Sequence, residues 1–166
     1  MTTNEKILLK DFVRRKFNFH ELEKKYPQKI NEKYMLNELD DLLVNQDKES
    51  LDYLIILSCN FGVTKKIGLH LCEFLTVDWH RQHEDLARLF QNKIHLPESI
   101  DFLVKAMILK FDYLFEQDDY EPFVTKCMYA IADLNTEASK SKLNELAESE
   151  DPIIKEAAQY QLERFS

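Results

Sequence analysis

Two histidines and a carboxylate, His80-x-x-His83-Glu84, come nearest to a reactive constellation in this 166-residue chain. On a helix, positions i, i+3 and i+4 share a face, and two imidazoles with a carboxylate can hold zinc. The string is neither H-E-x-x-H nor H-x-x-E-H, and no distant third ligand is nominated by pattern. A structural role suits these residues better. Trp79 packs at a helix start while Glu84 and Asp85 complement the dipole of the first turn, or Trp79, His83 and Glu84 meet a partner. No metal and no cofactor is implied.

Other reactive types fare worse. Ser58, Cys59 and Cys72 lie within apolar stripes without a nominated base, so a nucleophile is not expected. Asp40 and Asp41 are adjacent and point in different directions, whereas acid–base catalysis needs converging groups. A phosphate-cradling loop cannot be built from only two glycines, Gly62 and Gly68. The chain reads as a non-enzyme, with no catalytic residues.

Carboxylates are concentrated instead. Glu116, Asp118, Asp119 and Glu121 form the densest acidic connection, and Glu148, Glu150 and Asp151 form a second acidic edge. Each could be a solvated, helix-capping loop, or a ridge that accepts Lys and Arg from a partner. The formal net charge of −8 argues against nucleic acid as a direct ligand. Residues 1–33 nevertheless hold nine Lys/Arg against five Asp/Glu, a local +4, while the remainder holds 13 against 25 and carries −12. This basic N-terminal segment would suit RNA in a weaker reading. The acidic remainder favours a basic protein partner, through long-range steering.

These residues must be carried by helices. Glycine supplies the positive-φ positions of tight hairpins, and two glycines and four prolines would starve an all-β fold of turns. An all-α fold of about ten helices is expected. In order they cover residues 4–16, 19–26, 34–45, 51–61, 63–76 and a shorter segment beginning at Asp78-Trp79-His80. The longest then runs from Pro97 with Ile100, Leu103, Val104, Met107, Ile108, Phe111 and Phe115 as one unbroken stripe. Phe123 to Leu134, Thr136–Ser149 and Asp151–Phe165 follow. Asp47 should cap the fourth helix and Gly62 stop it, and its near-continuous apolar content marks it as the most buried. In the last helix, Asp151 caps and Pro152 takes the first position. Ile153, Ile154, Ala157, Ala158, Leu162 and Phe165 mark its buried stripe against Thr136–Ser149.

Three cysteines without a C-x-x-C read as reduced core thiols of a cytoplasmic protein. Ile7-Leu8-Leu9 is too short for a signal peptide, and no apolar run approaches the roughly 20 residues that span a bilayer. One domain is expected, with residues 1–47 as capping helices and 48–166 as stacked helix pairs. Glu49-Ser50-Leu51-Asp52-Tyr53-Leu54-Ile55 echoes Glu98-Ser99-Ile100-Asp101-Phe102-Leu103-Val104, either as an ancestral repeat or as two similar helix starts. Thin helix pairs bury their stripes by stacking, as repeat proteins do.

Asp151-Pro152-x-Ile154-Lys155-x-x-Ala158-x-x-x-Leu162 resembles the second helix of a HEAT repeat, with lysine where arginine is usual and Gln161 where a small residue is common. Lys126 to Leu134, then Ala138, Leu143 and Leu146, fit the same style. Trp79-His80-x-x-His83-Glu84-Asp85-Leu86 resembles an opening in small bacterial HEAT-like proteins. The resemblance covers Val63–Phe165. It implies an α-solenoid of antiparallel helix pairs that binds a protein, similar to immunity proteins of contact-dependent toxin systems. The expected partner is a basic toxin domain, a nuclease above all, encoded nearby and bound by a monomer as a 1:1 heterodimer. A scaffold or adaptor without inhibitory role is the alternative, followed by a helical RNA-binding protein or metal-dependent enzyme.

Overall fold

The computed structural model describes residues 1–165; Ser166, the last residue of the expected domain, lies outside them. Eleven α-helices and no strand are present among the described residues. The chain divides into two compact units, Met1–His70 and Leu71–Ser166.

The first unit contains α1 (Thr3–Val13), α2 (Phe19–Lys25), α3 (Glu32–Asn45), α4 (Lys48–Phe61) and the start of α5 (Lys65–Phe74). Side chains that accept from early backbone N–H groups start each of the first four. Thr2 and Glu5 form a capping box on α1, as do Asn18 and Glu21 on α2. Asn31 accepts from the Tyr34 N–H at 2.9 Å, and Asp47 from that of Ser50 at 3.3 Å. Gly62, at φ 99°, ends α4 as expected. Helix α4 packs on α1 and α3, and Leu9, Leu22, Met35, Leu39, Leu51, Leu54 and Leu57 are fully enclosed. The compact unit runs through α4 into α5.

The second unit holds the end of α5, α6 (His83–Lys93), a 3-10 turn (Pro97–Ser99), α7 (Ile100–Leu109), α8 (Asp112–Glu116), α9 (Tyr120–Ala132), α10 (Glu137–Leu146) and α11 (Pro152–Glu163). Helix α9 touches α6, α7, α8, α10 and α11. Its Tyr120, Phe123, Val124, Cys127, Met128, Ala130, Ile131 and Ala132 are buried. It is richer in buried residues than α4, which corrects the expectation for α4. Cys59 corrects the grouping of the thiols: it is exposed near the end of α4, while Cys72 and Cys127 are buried.

Three further expectations are corrected, each for a local reason. The long stripe from Ile100 to Phe115 is broken at Lys110, which takes left-handed φ 48° and ψ 58° and ends α7. The break lets Phe111 and Tyr113 both reach His83, which residues two apart on one helix cannot do. Residues Asp78 to Gln82 are not helical, so α6 begins only at His83. In α11 the enclosed positions are Ile154, Ala158 and Gln161, while Phe165 is exposed. The α11 cap is as expected: Asp151 Oδ1 accepts from the N–H groups of Ile153 and Ile154 at 2.9 and 3.2 Å, with Pro152 at the first position. Helices α10 and α11 pack on each other, also as expected.

Candidate functional site

His80 closes the end of α5, and His83 holds the connection that follows it. Terminal carbonyls of a helix lack intrahelical donors, and nearby imidazoles can supply them. His80 Nε2 lies 2.8 Å from the Phe74 carbonyl oxygen, and its Nδ1 accepts from the Gln82 N–H at 3.1 Å. His83 Nε2 lies 2.8 Å from the Val77 carbonyl oxygen. These contacts make both Nε2 atoms donors, so each neutral ring has Nδ1 as its acceptor. His83 Nδ1 then accepts from the Tyr113 hydroxyl at 2.8 Å, whose oxygen accepts in turn from the His83 N–H at 3.3 Å.

The rings also stack, His80 on His83 at 4.3 Å and His83 on Phe111 at 3.7 Å, with Trp79 edge-on to His80 at 4.9 Å. Burial, reinforced by the neighbouring His80, pushes the His83 pKa down to about 3, against the opposing pull of the Val77 carbonyl. Every ring nitrogen of the pair is committed within the protein. Among the described residues no group of three or more His, Cys, Asp or Glu is placed to hold a metal ion. His83 is fully buried and leaves the set of residues that can meet a partner.

Glu84, on the first turn of α6, is partly enclosed. Its Oε1 lies 2.7 Å from Lys126 Nζ of α9 and 3.1 Å from Arg88. Those hydrogen bonds, Lys126 first, hold its carboxyl below the usual range against some burial. It fastens α6 to α9. Trp79 is half-buried, edge-on to Phe74 as well as to His80.

The acidic segments behave differently. Glu116, Asp118, Glu121, Glu148 and Glu150 are exposed, with Asp119 half-buried. Asp119 precedes α9 without a side-chain cap bond, and Glu121 lies inside the first turn of that helix, so the segment is not a capping loop. Glu116 lies 3.8 Å from Arg81, an exposed and weak pairing. Asp118 takes left-handed φ 61° at the turn before α9.

The two acidic segments meet through Tyr120 and Asp151. The Tyr120 hydroxyl lies 3.2 Å from the Met107 carbonyl oxygen and 3.3 Å from Asp151 Oδ2, two acceptors sharing one proton. Lys110 Nζ sits 2.5 Å from the same Asp151 oxygen and 5.8 Å from the Tyr120 ring centroid. Burial disfavours the Asp151 carboxylate, yet Lys110 and the Ile154 and Ile153 N–H groups outweigh it and lower its pKa. Asp151 is thus consumed by structure, whereas its acidic neighbours Glu148 and Glu150 remain outward.

Apolar residues lie at the same corner. Phe115 stacks on Tyr120 at 4.4 Å yet is 50% exposed, and Ile108 and Leu109, beside Lys110, are 63% and 44% exposed. Glu121 also lines a groove with Thr125 of α9 and Ile153, Glu156, Ala157 and Tyr160 of α11. Sequence reasoning missed these exposed apolar residues because it placed Ile108 and Phe115 in a buried stripe. Compared with known proteins, the chain matches no family model, no curated protein and no solved structure.

Proposed function

We propose that the second unit is a recognition surface for a basic protein, and that the chain acts as an immunity protein neutralising a cognate toxin domain. The observation that carries the reading is the meeting of two acidic segments, 116–121 and 148–151, at a corner where Ile108, Leu109 and Phe115 are exposed. An apolar centre inside a charged rim is how protein interfaces are built, and the rim sets on-rate and orientation. The five exposed carboxylates suit the Lys- and Arg-rich surface with which a nuclease holds phosphate. Covering that surface would exclude its substrate without chemistry. A HEAT-like arrangement of helix pairs belongs to the same reading, supported by the α10–α11 pairing and by the Asp151-Pro152 start.

The test is co-expression with the protein encoded immediately beside this one. The chain should co-purify with it and protect cells from it. Asp118→Asn, Glu121→Gln, Glu148→Lys and Glu150→Lys together should strongly weaken both effects while the protein still melts cooperatively. A complex that forms but leaves the neighbour's activity intact would make the chain an adaptor. No complex and no protection would remove the immunity reading.

A further inference from the structure

A second surface, in the first unit, has the opposite chemistry. Phe12, Val13, Phe17, Phe19 and Ile56 line an open groove with Arg15 and Asn60 at its margin. Val13 is 47% exposed, and the three phenylalanines are only partly covered. Two exposed cations sit at this apolar floor: Arg15 lines it, and Lys25 Nζ lies 5.4 Å from the Phe17 ring centroid. Arg15 forms no ion pair among the described residues, whereas Lys16 is held by Asp11 at 2.9 Å. Arg15 sits at left-handed φ 58°, at the turn that follows α1.

We infer that this groove docks an acidic amphipathic segment of a partner protein, with an apolar side chain seated on Val13 and Ile56 and carboxylates on Arg15 and Lys25. Charge complementarity selects the occupant: an apolar floor beside the exposed Arg15 guanidinium and Lys25 ammonium rewards a ligand combining apolar and anionic side chains. Single-stranded nucleic acid fits less well, because base stacking needs open ring faces. Here Phe12 and Phe19 are engaged edge-to-face at 6.1 Å, and the Lys25 cation covers Phe17. Val13 and Ile56 are aliphatic and offer no stacking platform. The groove is independent of the acidic corner of the second unit, and its success or failure leaves that reading untouched.

The probe is a fluorescein-labelled amphipathic helical peptide of Glu, Leu and Phe, titrated into the full chain and compared with its Lys-for-Glu counterpart and with labelled oligouridylate. The acidic peptide should bind, weaken as salt is raised, and shift amide resonances along Phe12–Phe19 and Ile56–Asn60. Val13→Asp should weaken it about tenfold by removing floor and adding a like charge. Arg15→Asn, which tolerates the left-handed backbone, should weaken it about fivefold. Both positions are exposed, and an unchanged circular dichroism melt confirms that each variant folds. Equal binding of the acidic and basic peptides, or binding unaffected by both variants, overturns the inference. Tighter, variant-sensitive binding of oligouridylate also overturns it, in favour of nucleic acid. Concentration-dependent dimers lost in Val13→Asp would assign the groove to a second copy.

Discussion

Lys110 Nζ lies 2.5 Å from Asp151 Oδ2, tying the residue that breaks α7 to the residue that begins α11. A helix stop and a helix start, distant in sequence, share one ion pair. The Asp151 carboxylate thereby serves two helices, with Oδ1 on the first turn of α11 and Oδ2 on Lys110 and Tyr120.

Asp151→Ala should destabilise the protein by about 2 kcal/mol, since a cap alone is worth about 1 and the partly enclosed pair is lost with it. Asp151→Asn keeps a capping oxygen and should cost about half as much. Urea denaturation at neutral pH measures both. Equal losses would show that charge, rather than capping, dominates. The lowered Asp151 pKa makes its contribution full above the ordinary carboxylate range and lost as acid protonates it.

His83 sets a second pH dependence, at higher pH. Its folded pKa is depressed to about 3, whereas an unfolded histidine titrates near 6.5. The unfolded chain therefore binds a proton that the folded chain refuses, and stability falls as pH drops below about 6.5. Between pH 7 and 5 the loss from this group should be about 2 kcal/mol, at a limiting slope of about 1.4 kcal/mol per unit. His83→Gln, which retains an amide donor and acceptor, should be less stable at pH 7 but flatter across this interval. Denaturation curves at both pH values give the slope directly. An undiminished slope in the variant would assign the effect elsewhere.

The helical content was readable because scarce glycine and spaced apolar residues act locally. Asp47, Gly62, Asp151 and Pro152 occupy the cap positions that their chemistry dictates. Breaks were less readable. The run from Ile100 to Phe115 satisfies helical periodicity throughout, and only the tertiary demand that Phe111 and Tyr113 both meet His83 separates α7 from α8. A structural role for His80 and His83 was legible, but not its form, because ligand spacing and capping spacing are similar. Their true partners, the Phe74 and Val77 carbonyls, are backbone atoms that no side-chain pattern reveals. The nominated acids mostly face outward, but the contact between Tyr120 and Asp151 that joins their two segments is long-range.

The thiols should separate by accessibility. Burial raises the Cys72 pKa to about 12 and pushes Cys127 up as well, so neither offers thiolate to reagent. Of the three cysteines, exposed Cys59 should react with a disulfide reagent in the native protein, and the other two only after denaturant is added. Reaction of two thiols at the same fast rate would show that one buried cysteine opens locally.

The acidic corner makes separable kinetic predictions, which rest on the proposed basic partner. Exposed carboxylates act at long range, so Asp118→Asn with Glu121→Gln should slow association and reduce its salt dependence, with little effect on dissociation. Phe115→Ala removes apolar contact area without changing charge, and should act mainly on dissociation, speeding it about tenfold if Phe115 is an anchor. Because Phe115 is half-exposed and stacks on Tyr120, its truncation should cost the free protein only about 1 kcal/mol. Stopped-flow association and surface dissociation measurements with the partner separate the two effects. If the carboxylate variant changed only dissociation, the charges would be buried contacts rather than a steering rim. If Phe115→Ala left dissociation unchanged, the apolar centre would lie outside the interface.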